Sequence, residues 1–344
     1  MNEPTSSDVP ASLPRIVVLG TGSAVPDRTI TNDDLSKTVE TSDEWIRERT
    51  GIRARRVVER GQAASDLATA AGMRACEAAG ISPRDLDCII CATISADMPL
   101  PSCAVFVQRK LGAAPGCPAF DLAAACGGFL YGLAVAEGLL RSRMYKRILL
   151  VGVEVLSGYV DWRDRNTCVL FGDGAGAAVL GLGDDVQQAA GRGVLSVHLY
   201  ADGSQADALR IPGGGSLHPA SAETLQTGMH HIQMNGRAIF SHAVRNLASS
   251  CQAALQKQGL VAADIDLVVA HQANLRILEA VAERIGLSMD RFFINIDRYG
   301  NTSSASVPIA LDEAVRAGRV KPGDKLLLCA LGAGLAWGAA CIRW

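Results

Sequence analysis

Cys126, His271 and Asn301 are the residues of this chain whose surroundings best suit covalent chemistry. Cys126 lies in Ala123-Ala124-Ala125-Cys126-Gly127-Gly128-Phe129, after an apolar run over 117–123 and before a Leu/Ala-rich helical pattern over 129–140. That order reads as strand, tight turn, helix, with the thiol at the turn. A helix N-terminus offers free N–H groups and partial positive charge, and both stabilise a thiolate. The two glycines let the backbone turn sharply and let a ligand come close. Taken alone, the pattern fits a small buried hydrophobe equally well, the usual state of a free cysteine. His271 follows the apolar run 267–270 and opens a helix in His271-Gln272-Ala273-Asn274-Leu275-Arg276. Asn301 occupies a second strand-to-helix turn, Tyr299-Gly300-Asn301-Thr302-Ser303-Ser304. Of six histidines, His271 alone ends a buried-strand pattern. Such a histidine is more often structural, but three polar residues at equivalent strand ends point to one site.

The elements that must position these residues alternate. Apolar β-rich runs over 15–19, 87–93, 119–123, 147–153, 175–182, 193–200, 267–270, 291–296, 325–330 and 339–343 predict strands. Helical patterns fall over 65–79, 102–111, 127–142, 236–258, 274–286 and 304–317. Strands separated by helices imply parallel sheets with covered faces, an α/β fold. The chain also repeats itself. Asp85-Leu86-Asp87-Cys88-Ile89-Ile90 resembles Asp264-Ile265-Asp266-Leu267-Val268-Val269 at an offset of 179. Phe120-Asp121 before Cys126 resembles Ile296-Asp297 before Asn301 at an offset of about 175. Two copies of one unit, over 14–182 and 183–344 with the boundary in the Gly/Asp-rich turn 181–185, would set the Cys126 loop opposite the Asn301 loop. Residues 1–13 read as a loose polar tail.

Composition narrows the function. The 344 residues are 49% hydrophobic and 20% charged, with net charge −2. There is no global attraction to nucleic acid or membrane, and any basic docking surface must be local. Aromatics are too sparse for a base-stacking platform. Apolar stretches are broken before the ~18 residues a membrane span requires. Ten cysteines, most inside apolar runs, fit a reducing compartment, the cytoplasm. Cys88 and Cys91 form a lone C-x-x-C on a strand, where residues three apart face opposite ways, so no metal site is expected. Gly20-Thr21-Gly22-Ser23-Ala24-Val25 is similar to a dinucleotide-binding turn. It lacks the third glycine, however, and Pro26 interrupts the helix that should follow. Thiol proteases share a Cys, His, Asn set, but their signature around the cysteine is absent.

The chain resembles the β-ketoacyl-acyl-carrier-protein synthase III enzymes from about Arg15 to Trp344. The likeness rests on the three segments above. It rests also on Thr41-Ser42-Asp43-Glu44-Trp45-Ile46, Arg49-Thr50-Gly51-Ile52-Arg53, Phe171-Gly172-Asp173-Gly174-Ala175-Gly176-Ala177 and the terminal Trp337-Gly338. It implies the thiolase fold, two duplicated halves in α-β-α-β-α layers, and a cofactor-free condensation that starts type II fatty acid synthesis. Cys126 would take an acyl group from acyl-CoA. Malonyl-carrier protein would then lose CO2, and its carbanion would attack the thioester. A thiolate suits this cycle as both nucleophile and leaving group, and donors from His271 and Asn301 suit the enolate.

By the same resemblance, backbone N–H groups of Cys126 and Ala333 form a second oxyanion hole. Three glycines are usual in that turn, and Ala333 departs from them. Trp45 and Arg165 would sandwich the adenine of CoA. Arg49 would meet phosphate, and Gly236 and Asn274 would line the pantetheine arm. Phe171 and Leu100 fall to the acyl pocket; Leu100 stands where a phenylalanine floors it in acetyl-preferring relatives. Arg276 and Arg284 would dock the acidic carrier protein. Ser241 replaces a common basic residue there, and Arg245 lies one turn later. A homodimer is expected, the loop 97–101 reaching the partner's pocket. A related condensing enzyme of secondary or biotin metabolism, with another primer, is the nearest alternative.

Overall fold

The computed structural model describes residues 15–183 and 191–344. The expected tail and part of the expected boundary at 181–185 lie outside the described residues. In chain order the strands are β1 (Ile16–Ala24), β2 (Thr29–Thr31), β3 (Ala54–Arg56), β4 (Cys88–Ala92), β5 (Ala119–Leu122), β6 (Arg147–Glu154), β7 (Gly174–Leu182), β8 (Gly193–Ala201), β9 (Leu209–Arg210), β10 (Gln233–Met234), β11 (Leu267–Ala270), β12 (Lys325–Gly332) and β13 (Ala336–Arg343). The helices are α1 (Asn32–Ser36), α2 (Asp43–Thr50), α3 (Ala64–Ala78), α4 (Cys103–Leu111), α5 (Gly128–Arg141), α6 (Arg165–Cys168), α7 (Ala222–Gln226), α8 (Gly236–Lys257), α9 (Leu275–Ile285), α10 (Ile296–Tyr299) and α11 (Ser306–Arg316).

Two large sheets run β1-β7-β6-β4-β5 and β8-β13-β12-β11. Their pairing senses agree strand for strand. The pairs β4–β6 and β11–β12 are parallel. The pairs β6–β7 and β12–β13 are antiparallel, as are β1–β7 and β13–β8. One apolar cluster joins both sheets through α5 and α11. A second covers the outer face of the first sheet with α3 and α4, and a third covers the other outer face with α8 and α9. The layers are therefore α-β-α-β-α. The buried central helix follows from sequence: residues 306–312 of α11 are buried all round, as a helix between two sheets must be. Small residues set the spacing of the layers. A Cβ on Gly132 of α5 would come within 2.4 Å of Leu150 Cδ1 in β6.

Two expectations change here. The run 291–296 is not a strand. Phe292 makes a single parallel bridge to Val268, and the chain then turns at Asn295 into α10. The reason is Gln272. β11 ends at Ala270, and the Gln272 carboxamide takes over the ladder. Its Nε2 donates to the Phe293 carbonyl at 3.1 Å, and its Oε1 accepts from Asn295 N at 3.2 Å. The Gly20–Val25 segment is mostly strand rather than a phosphate turn. A Cβ on Gly22 would stand 2.3 Å from Ala71 O, so this glycine lets α3 lie against β1. Cys88 and Cys91 do face opposite layers, in the inter-sheet and outer clusters respectively. No group of metal-ligating side chains occurs among the described residues, and no described helix is long and apolar enough to cross a membrane.

Candidate active site

Each large sheet delivers a matching turn. Ala125, with φ 45°, opens the 3-10 turn Ala125–Gly127 that leads into α5. Ser303, with φ 50°, opens the 3-10 turn Ser303–Ala305 that leads into α11. Left-handed backbone at a non-glycine residue is strained and persists only where the surroundings hold it. These two turns meet at Cys126. The thiol is 6% exposed, at the junction of two cavities. Gly332 at the end of β12 makes the approach possible: a Cβ there would lie 2.5 Å from Cys126 N.

One cavity, about 110 Å³, is lined by Cys126, His271, Asn301, Gly236 and Asn274. His271 follows β11 directly, and its N–H donates to the Cys329 carbonyl at 2.8 Å. Its Nδ1 is buried without a protein partner, which leaves Nε2 for the cavity. Burial lowers its pKa to about 4, so the ring is neutral at neutral pH. Asn301 is anchored by its backbone to Leu170 and Gly172. Its Oδ1 accepts from Ser303 N at 2.9 Å. That bond assigns the amide orientation and leaves Nδ2 as a free donor.

The other cavity, about 320 Å³, is lined by Cys126, Ile94, Leu156, Phe171, Ile232 and Ala333, among others. Leu100 does not line it; the side chain is 83% exposed. The positive φ of the turn after β12 belongs to Gly334, at 133°, and Ala333 has none. Alanine is therefore unstrained at 333.

Trp45 and Arg49 stand on α2, which Ser42 caps through Trp45 N at 3.1 Å. The Arg49 and Arg165 guanidinium carbons lie 4.8 and 5.0 Å from the Trp45 ring centre. Asn274 caps α9 and donates from Nδ2 to the Arg49 carbonyl at 3.0 Å. It thus ties the Trp45 helix to the channel. Arg276 and Arg284 are exposed on α9, beside the equally exposed Glu279 and Glu283.

Sequence reasoning expected an activated thiolate at the helix start. The enclosure reverses this: burial pushes the Cys126 thiol up to about 12, opposed by a hydrogen bond with Ser303 and assisted by the charge of Glu154. Glu154 itself was missed. It ends β6 and is fully buried. Its Oε2 accepts from Ser95 Oγ at 2.5 Å and from Ile94 N at 3.2 Å, and its Oε1 accepts from Ser303 Oγ at 3.1 Å. Burial raises its pKa to about 7. A charged residue closing the apolar run 147–153 was the available signal.

Two family models match the chain. That for 3-oxoacyl-[acyl-carrier-protein] synthase III spans residues 120–203, and that for its C-terminal part spans 255–344. The β-ketoacyl-[acyl-carrier-protein] synthase III of Caldanaerobacter subterraneus is 50% identical over 327 residues, 95% of this chain and 97% of that one. The crystal structure of the 3-oxoacyl-[acyl-carrier-protein] synthase III of Aquifex aeolicus matches with TM-score 0.86 at 42% identity, over 96% of this chain and all of the other. The priming β-ketosynthase of the R1128 polyketide pathway matches with TM-score 0.87 at 33% identity, over 98% of each chain. With the thiolase-type layers, the paired turns and these likenesses in place, the chain belongs to the β-ketoacyl-acyl-carrier-protein synthase III family of condensing enzymes.

Proposed function

We propose that Cys126 takes a short acyl group from acyl-CoA and that His271 and Asn301 stabilise the enolate formed when malonyl-carrier protein loses CO2. The observation that carries this reading is the Asn301 amide. Its oxygen is occupied by Ser303 N–H, so the group facing the Cys126 cavity is a donor. A neutral His271 adds an N–H from Nε2, and two such donors on a developing oxyanion are each worth about 3 kcal/mol. The attack of the carbanion on the Cys126 thioester then forms the new carbon–carbon bond and releases the cysteine. The N–H groups of Cys126 and Ala333 serve the thioester oxygen in both half-reactions.

Acyl-CoA would enter along the channel, with adenine against Trp45 and Arg165, phosphate at Arg49, and the pantetheine arm past Gly236 and Asn274. The apolar cavity beyond Cys126 receives the primer, and we assign it butyryl or short branched groups as well as acetyl. The carrier protein would dock near the mouth on Arg276 and Arg284, with Arg245 in support. A homodimer is proposed because β5 leaves one edge of the five-stranded sheet unpaired, with Phe120 36% exposed on it. Met98 and Leu100 stand exposed in the loop above. Ten buried free cysteines support a reducing, cytoplasmic setting.

Division of labour tests the assignment. Cys126→Ala should block acylation and leave some malonyl-carrier-protein decarboxylation. His271→Ala and Asn301→Ala should still gain the acyl mass on Cys126 and fail to condense. A His271→Ala protein that condenses at nearly the wild-type rate would sink this division of roles. Intact-protein mass spectrometry after exposure to a panel of acyl-CoAs identifies the primer directly.

A further inference from the structure

The thiol of Cys126 is enclosed and holds its proton, yet acylation requires that proton to leave as the new bond forms. We propose that Glu154 receives it through the hydroxyl of Ser303. The geometry is a three-group line. The Ser303 hydroxyl hydrogen-bonds the Cys126 sulfur on one side and Glu154 Oε1, at 3.1 Å, on the other. The two carboxylate oxygens are differently engaged. Oε2 is held by Ser95 Oγ at 2.5 Å, Ile94 N at 3.2 Å and Thr93 Oγ1 at 3.4 Å. Oε1 faces Ser303. The neighbouring Ser304 gives its own proton to the Ala92 carbonyl at 2.8 Å.

A serine hydroxyl has one proton and can point it one way at a time. With Glu154 ionised, Ser303 donates to the carboxylate and accepts from the thiol. As sulfur attacks the acyl carbonyl carbon, the thiol proton passes to Ser303 Oγ and the serine proton passes to Glu154 Oε1. The S–C bond to Cys126 forms, the S–C bond to CoA breaks, and the same proton returns through Ser303 to the departing CoA sulfur. No charge accumulates in the cavity, since a buried carboxylate and a buried thiolate side by side would repel. The titratable groups that sense the Glu154 charge are Cys126 and Tyr159. The strained φ of Ser303 fits this role: the backbone is held where one residue reaches Asn301 through its N–H and both acids through its hydroxyl. Glu154 acts through Ser303 and is a positioning and proton-holding residue.

The inference rests on Cys126 as the acylated nucleophile, and one experiment separates the two. Single-turnover transfer from labelled acetyl-CoA is followed from about pH 6 to about pH 9 in wild type, Glu154→Gln and Ser303→Ala. Absence of label on wild-type Cys126 at every pH would overturn the nucleophile assignment instead. If the relay operates, the wild-type rate rises to a plateau above about pH 7, where Glu154 is ionised. Both variants should be slower by about a hundredfold near neutrality and climb about tenfold per pH unit without a plateau. A Glu154→Gln protein that acylates as fast as wild type or faster near neutrality overturns the relay, because Glu154 would then act only as a repelling charge. The wild-type profile is decisive even if a variant fails to fold: a rate that climbs steadily through neutrality with no inflection also overturns it.

Discussion

Replacing Gly332 by alanine should cripple acylation while leaving every catalytic side chain in place. The added Cβ would lie 2.5 Å from Cys126 N and 3.0 Å from Cys126 Cβ, whereas ordinary contact begins at 3.4 Å. The deficit against the backbone nitrogen is therefore 0.9 Å, the difference between those two distances. Neither side yields easily. Gly332 is the last residue of β12 and pairs with Ala336, and Cys126 N belongs to a turn that already holds Ala125 at φ 45°. Displacing a reacting group by about 1 Å costs about a hundredfold in rate, and overpacking a filled site costs about 1–3 kcal/mol of stability. The assay is the rate of acyl mass gain on Cys126, paired with thermal denaturation. Gly138→Ala is the matched control. It lies in α5, and a Cβ added there would meet nothing within 4 Å, so it should stabilise by about 0.5–1 kcal/mol and acylate normally. Gly332→Ala acylating at the wild-type rate would show that the turn absorbs a methyl group, and the close-approach reasoning would fail.

Two further outcomes are expected. His271 stays neutral in the fold down to about pH 4, while the unfolded imidazole binds its proton near 6.5. The unfolded state thus binds more protons in that window, and stability falls as pH drops from about 6.5 to about 4. Glu154 acts in the opposite sense: its folded pKa of about 7 exceeds the ordinary 4.5, so its contribution improves as pH falls through 7. Thermal midpoints across pH should therefore show a shallower acid-side decline in His271→Asn than in wild type, and identical curves would remove His271 as a cause. Leu100→Phe should shift primer preference from butyryl toward acetyl if the exposed loop of one copy enters the cavity of another, at roughly 0.8 kcal/mol per methylene excluded. Equal loss with every primer would mean that Leu100 is no part of the pocket.

Local order was legible in the chain because it is written locally. Cys126, His271 and Asn301 each follow an apolar run and precede a helical pattern, and glycines mark the turns between. Those backbone preferences act over a few residues, and the structure keeps them: β11 spans Leu267–Ala270, and α5 begins two residues after Cys126. The echo between the first and second parts of the chain likewise foretold two sheets of one topology. What tertiary structure decided were the quantities summed over distant residues. A helix start argues for a thiolate, but burial by both sheets makes Cys126 a thiol. Glu154 ends an ordinary apolar strand in sequence. Only folding brings it Ser95, 59 residues away, and Ser303, 149 residues away. The run 291–296 looks like a strand by composition, yet its neighbour in the ladder is a side chain, Gln272. Desolvation and hydrogen bonding depend on who stands within a few ångströms in space, and no window of sequence holds that information.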